Sequence, residues 1–199
     1  IHDDLPCMDD DDLRRGRPTV HVKYGEAVAV LAGDALLTAA FEVVSAAAES
    51  HGADRAIVAI HDLSRVSGAA GLVGGQVDDL AFDRENHSVA AVESVHERKS
   101  AALIAGAIAA GAGIAGADEA MRERLRRFGY EVGVAFQIAD DLLDAEDDDP
   151  CSWVTALGAD AARQRAELLL DTALARVEDL GEPAEPLREL ARFAVRRDR

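Results

Sequence analysis

The 199 residues suffice for one domain with a real apolar core, and 49% of them are hydrophobic although only 4% are aromatic. A formal net charge of -17 argues against a nucleic-acid partner, whose phosphates call for clustered Lys and Arg. Two cysteines, Cys7 and Cys151, build no disulfide framework, so a reducing, cytoplasmic setting is expected, and no signal peptide is read.

Alanine, leucine and valine supply most of the apolar content and favour packed helices over a β-sandwich. The first segment is Asp3-Asp4-Leu5-Pro6-Cys7-Met8-Asp9, followed by Arg14-Arg15-Gly16. On a straight helix Asp3 and Asp9 would stand roughly 240° apart. Pro6 prevents an uninterrupted helix there, and a bulge at Pro6-Cys7 would return Asp9 to the side facing Asp3. Asp10, Asp11 and Asp12 read as a solvated run. Gly25 to His51 is apolar with few charges, suited to burial on most sides in a large bundle or at an oligomer interface. Asp54 is a candidate cap for a helix from Arg55 to Phe82, in which Gly68, Gly71, Gly74 and Gly75 permit close packing or a kink. Asn86 or Ser88 caps a third helix ending near Gly113, and Asp118 starts a fourth that runs into Asp144. Gly106 to Gly116 is too short and glycine-rich to span a bilayer, so no integral membrane segment is expected. After an acidic break from Ala145 to Ser152, Gly158 to Leu180 and Pro183 to Arg197 give the last two helices. No stretch alternates with period two. The expectation is an all-α chain, 1–199, folded as a single helical domain.

The fourth helix ends in Phe136-Gln137-Ile138-Ala139-Asp140-Asp141-Leu142-Leu143-Asp144. At helical spacing, with Gln137 at zero, Asp140 falls at roughly 300°, Asp141 at roughly 40° and Asp144 at roughly 340°. All four polar groups thus share one arc while Leu142 and Leu143 point elsewhere. Crowded carboxylates repel unless cations lie between them, and no Lys or Arg occurs from Gln137 to Asp149. The pattern suits a hard cation, Mg²⁺ or Mn²⁺, held partly through phosphate oxygens. A calcium loop of EF-hand type fails, because its sixth position would be Asp149 and its last Thr155.

Together these two Asp-rich segments resemble the motifs of the trans-polyprenyl diphosphate synthases, the farnesyl and geranylgeranyl diphosphate synthase family. The first is similar to that family's first motif in its two-residue-longer form, the second to FQxxDDxxD. The resemblance implies an isoprenoid (terpenoid) synthase helical bundle around a central cavity, with both motifs facing one cleft. It implies Asp3, Asp4, Asp9, Asp140, Asp141 and Asp144 at the metals, with Asp3 and Asp9 bridging two ions, Asp4 supporting them, and three ions present once diphosphate is bound. Arg14 is assigned to the allylic diphosphate and Arg15 to isopentenyl diphosphate, a role suited to a planar guanidinium fork. Only Lys23 and Lys99 are lysines among 21 basic residues. Lys99-Ser100 resembles the family's Lys-Thr pair at the allylic diphosphate and reacting end, with a hydroxyl kept at Ser100. Gln76 and Asp79 resemble GQxxDL and are given a supporting or packing role, while His21, His61 and His96 read as structural or peripheral.

The implied reaction condenses isopentenyl diphosphate with dimethylallyl or geranyl diphosphate, through Asp3, Asp4, Asp9, Lys99 and Asp140 as catalytic groups and Arg14, Arg15, Lys99, Ser100 and Gln137 at substrate. Farnesyl diphosphate is the expected product, with geranylgeranyl diphosphate as the alternative and a homodimer as the expected assembly. Ile1 is not an initiator Met, and the family's upstream Gly-Lys-Arg segment and His, like its lysine-rich loop after the second motif, have no counterpart here. The first gap is read as a missing N-terminus and the second as residues dropped from the loop. A noncatalytic regulatory subunit of a prenyl synthase is the competing reading that those gaps motivate.

Overall fold

Pro6 stops the first segment from coiling into one helix. In the computed structural model, which describes residues 1–83, 85, 88–144 and 150–197, this segment is a run of turns. Asp9 N–H donates to Asp3 O at 2.9 Å and Asp11 N–H to Asp4 O at 3.2 Å. An antiparallel hairpin follows, β1 (Leu13–Arg14) against β2 (Arg17–Pro18). Its turn residues Arg15 and Gly16 have φ of 53° and 72°, the paired positive dihedrals that a two-residue hairpin loop demands. Sequence reading misses this hairpin because strands of two residues are too short for alternation to register.

The Thr19 hydroxyl donates to Asp11 O at 2.8 Å and ties the hairpin exit to the preceding turns. Helices α1 (Val20–Tyr24), α2 (Glu26–Ala46) and α3 (Ala48–His51) then complete the first of two compact units, Ile1–Ala56. Helix α2 buries only Ala29, leaving Leu31, Leu36, Leu37 and Val43 exposed. Two helical stretches, Glu26–His51 with mean hydropathy 1.9 and Ala53–Leu80 with 1.3, are long and apolar enough to cross a bilayer by length and composition. Neither is Gly106 to Gly116, the stretch too short and glycine-rich for that role.

Helix α4 (Ala53–Ser67) leads into the second unit, Ile57–Arg199, and α5 (Leu72–Leu80) follows. The one helix expected from Arg55 to Phe82 is therefore two, parted at Gly68 to Gly71, and Asp54 lies in the first turn of α4 rather than before it. Ser88 caps α6 (Val89–His96), its hydroxyl accepting from Ala91 N–H at 3.2 Å, while Asn86 lies outside the described residues. A π-helical turn, Glu97–Ala101, carries the chain without a break into α7 (Ala102–Ala115). Gly116 ends α7 in the left-handed conformation at φ 89°. Asp118 caps α8 (Glu119–Leu143) by accepting from Met121 N–H at 2.8 Å. Helices α9 (Trp153–Leu157), α10 (Ala159–Arg176) and α11 (Glu185–Val195) complete the unit. The expected break from Ala145 to Asp149 lies outside the described residues.

Helix α8 is the axis of the second unit, packed against α7 and α10 and touched by α11. Phe128, Ile138, Leu170 and Trp153 are fully buried around it. Burying Phe128, Ile138 and Leu170 contributes about 1.5–3 kcal/mol each. Aromatic residues are few, so closeness comes from small residues. A Cβ on Gly133 would lie 2.6 Å from Ala101 Cα, and one on Gly75 would lie 2.2 Å from Lys99 N. Helices α8 and α5 thus meet the π turn backbone to backbone. Gly133→Ala should lower stability by roughly 1–3 kcal/mol through overpacking. The check is a reduced denaturant midpoint at unchanged slope.

Candidate active site

An α-helical hydrogen bond reaches back four residues, whereas Asp9 N–H reaches six, to Asp3 O. The extra residues loop out at Pro6-Cys7, and the backbone of Asp9 returns beside that of Asp3. Asp4 is 2% exposed, and its carboxylate accepts from Arg14 Nε. Arg14 Nη2 also lies 3.7 Å from Asp3 Oδ2 and 3.9 Å from Asp11 Oδ2. The Asp4 hydrogen bond, ahead of the surrounding negative charge, holds the Arg14 guanidinium above its ordinary pKa. Arg14 is therefore folded onto the acidic turn, while Arg15 is exposed at the hairpin tip. Asp9, Asp10, Asp11 and Asp12 are exposed and Asp3 half-buried.

In the second unit the π turn sorts its side chains between two neighbours. Lys99 Nζ donates to Asp79 Oδ2 at 2.5 Å, and Arg98 donates to Asp78 and, at 3.0 Å, to Ala69 O. Ser100 Oγ faces the other way and donates to Gln137 Oε1 at 2.8 Å. The far end of that amide, Nε2, donates to Asp141 Oδ1 at 3.3 Å, and Asp141 Oδ2 accepts from Trp153 N–H at 2.7 Å. His96 Nδ1 lies 3.9 Å from the same Oδ2, while its Nε2–H donates to Cys151 O at 2.7 Å. Burial, ahead of the neighbouring Glu97 carboxylate, pushes Tyr130 well above its ordinary pKa.

The carboxylates on the α8 arc have different surroundings. Asp141 is 8% exposed, Asp140 is half-buried with Arg197 donating to it, and Asp144 is exposed at the helix end. Arg197 also lies over the Phe136 ring, 4.5 Å from its centroid. Sequence reading found neither the Arg197 contact nor the part played by His96, since no local spacing links either to the motif. Among the described residues no group of three or more His, Cys, Asp or Glu is arranged to hold a metal ion. Mg²⁺ usually takes one or two carboxylates and completes its shell with phosphate and water. Hard oxygen donors such as Asp3 with Asp9, and Asp140 with Asp144, fit that role.

The family profile of the polyprenyl synthetases matches residues 1–185. Farnesyl diphosphate synthase of Bacillus subtilis (strain 168) is 47% identical over 147 residues, 73% of this chain and 50% of that protein. The chloroplastic geranylgeranyl pyrophosphate synthase of Catharanthus roseus is 38% identical over 100% of this chain and 60% of its own. Among solved structures, an FPP/GFPP synthase from Zymomonas mobilis in apo form is 40% identical with a TM-score of 0.89, covering 98% of this chain and 69% of that one. A geranyltransferase from Helicobacter pylori, complexed with magnesium and isoprenyl diphosphate, is 34% identical with a TM-score of 0.79, covering 98% and 67%. The α-helical bundle is the isoprenoid synthase fold seen in these structures. The chain spans 50% to 61% of the length of the first curated relatives that it matches.

Removing the Arg14 guanidinium leaves a buried carboxylate short of a donor. Arg14→Ala should cost roughly 1–3 kcal/mol, whereas Arg15→Ala at the exposed tip should stay within about 0.5 kcal/mol. Equilibrium unfolding of both variants checks the contrast.

Proposed function

The chain belongs to the polyprenyl synthetase family, and from that premise we propose that it condenses isopentenyl diphosphate with an allylic diphosphate, dimethylallyl or geranyl, to form farnesyl diphosphate. The observation that carries this reading is the π turn that sets Ser100 on Gln137 at the start of the second Asp motif and its neighbour Lys99 on Asp79. Asp3, Asp9, Asp140 and Asp144 would hold Mg²⁺ or Mn²⁺, in keeping with the magnesium and isoprenyl diphosphate of the Helicobacter pylori structure. The bound ions supply charge neutralisation of the departing diphosphate. Asp4 and Asp141, expected with them, are buried with carboxylates engaged by the protein. The half-buried Asp140 would have to give up Arg197 to take an ion.

Lys99 brings a compact ammonium to the allylic diphosphate, and Asp79 keeps it in place. Arg15 suits the second diphosphate. Arg14 would have to leave Asp4, or serve through it, to reach the first. Cleavage of the allylic carbon–oxygen bond leaves a cation, which the oxygens of Ser100 and Gln137 shield while the isopentenyl double bond attacks. The released diphosphate takes the final proton, so no side-chain base is required. The Bacillus subtilis relative supports a C15 product and the Catharanthus roseus relative supports the geranylgeranyl alternative.

The same reading includes a cytoplasmic homodimer. The exposed apolar faces of α2 suit a second copy, and Glu26, Asp34 and Glu42 spaced along that helix disfavour lipid as its cover. Sedimentation should report a dimer at working concentrations, and a monomer throughout would sink the assembly.

Turnover should stop on exhaustive chelation and return with Mg²⁺. Asp140→Ala should lower kcat by about 10²–10³, on the scale of losing a group that stabilises transition-state charge. Labelled isopentenyl diphosphate with geranyl diphosphate, followed by separation of products by length, tests the reaction. A dominant C20 product would replace the farnesyl assignment, and no condensation at all would favour a noncatalytic subunit.

A further inference from the structure

We propose that Asp141 is a positioning residue that fixes the polarity of a hydrogen-bond relay, Ser100 to Gln137 to Asp141, and that it does not ligate metal. The proposal rests on the prenyl-transfer reading of the site and assigns one of its acids a different task.

A carboxylate at 8% exposure needs donors around it, since burying an unmatched charge is costly. Asp141 has them: Gln137 Nε2 at 3.3 Å and Trp153 N–H at 2.7 Å, while His96 Nδ1 at 3.9 Å is beyond hydrogen-bond reach. These donors come from α8 and the first residue of α9, so the carboxylate ties two helices beside the π turn. A metal ligand on this motif would instead have to stay open to an ion and to phosphate oxygens. Asp144 is exposed and Asp140 half-buried, and Asp141 faces inward.

The chemical consequence lies in the amide. The two ends of a glutamine side chain have nearly the same shape, and only their partners decide which is oxygen. An ionised carboxylate accepts and cannot donate, so Asp141 requires Nε2 on its side and turns Oε1 toward Ser100. The Ser100 proton then goes to Oε1 at 2.8 Å. With its proton committed, the Ser100 oxygen offers lone pairs to whatever approaches, which is the polarity an allylic cation needs. Reversing the amide would hand Ser100 an N–H donor and turn the hydroxyl proton outward.

Asp141→Asn tests this with little change of shape. It keeps one acceptor oxygen where Gln137 Nε2 and Trp153 N–H need two. Magnesium titration with inorganic pyrophosphate as probe, followed by calorimetry, reads metal binding, and steady-state assays read turnover. Asp141→Asn should lower kcat roughly tenfold while leaving the Mg²⁺ half-saturation and both KM values within about twofold. Asp140→Asn should raise the Mg²⁺ requirement tenfold or more by the same rough scale. Asp141→Asn added to Ser100→Ala should cost little beyond Ser100→Ala alone, because both act through one relay. Should Asp141→Asn fail to fold, Gln137→Leu takes its place: it removes the donor to Asp141 without adding charge to the arc and should reproduce the kcat loss at unchanged Mg²⁺ requirement.

An Mg²⁺ requirement raised by Asp141→Asn as much as by Asp140→Asn would make Asp141 a ligand and overturn the proposal. Fully additive losses with Ser100→Ala would break the relay. A parent chain that neither binds Mg²⁺-pyrophosphate nor makes product would instead remove the reaction itself. The relay is still decided in that event by the NMR signals of the Gln137 side-chain amide and the Trp153 backbone N–H. Both should move strongly in Asp141→Asn and much less in Asp140→Asn, and unmoved signals in Asp141→Asn would defeat the relay.

Discussion

The second unit depends on one close contact, in which α5 and α8 approach the π turn at Glu97–Ala101 with no side chain between the backbones. Gly75 and Gly133 allow it, because a Cβ on either would stand inside the radius of Lys99 N or Ala101 Cα. A π turn inserts a residue into the helical count and re-aims the side chains around it. Here Lys99 goes to Asp79 on α5 and Ser100 to Gln137 on α8. Adjacent residues of a helix stand roughly 100° apart, so the divergence itself is ordinary. What the glycines add is nearness, and at larger spacing the short Ser100 side chain would not reach Gln137. Packing and polar chemistry therefore share the same few residues, and each glycine serves both.

Much of the fold is legible in the sequence, but unevenly. The caps at Ser88 and Asp118 follow from local hydrogen-bond chemistry and stand where spacing puts them. Asp54 satisfies the same rule and is not a cap, because α4 begins one residue earlier. The glycines from Gly68 to Gly75 present the opposite difficulty. Sequence offers close packing or a kink for all four, whereas Gly68 and Gly71 sit at a break and Gly75 sits at a contact. Which of the two applies depends on what packs opposite, and that is not local information. The hairpin at Arg15-Gly16 has only two residues per strand, too few for any periodic signal. The Arg197 contact with Asp140 spans 57 residues of sequence, beyond the reach of helical spacing.

The candidate site is legible as an inventory more than as an arrangement. Helical geometry puts Gln137, Asp140, Asp141 and Asp144 on one arc, and that much depends only on their being helical. An arc has two edges, however, and the sequence does not say which one faces inward. Asp141 lies toward one edge and is buried, whereas Asp140 lies toward the other and meets Arg197. Identical residue types next to each other thus acquire different chemistry from the helices that happen to flank them.

The first motif, taken by itself, shows the same division. Asp4 is buried under Arg14, while Asp3 is half-buried and Asp9 exposed on a backbone that the six-residue hydrogen bond has turned back. In each motif the second Asp of the pair is spent inside the protein and its neighbours remain nearer solvent. Carboxylates packed this tightly repel, so a run of free acids would loosen the segment that carries it. Pairing one acid with internal donors removes part of that repulsion and anchors the backbone from which the others project. The -17 net charge is consequently a poor guide to how many acids are available to an ion. An acid-rich motif can need one Asp to hold its geometry before the rest can hold anything else.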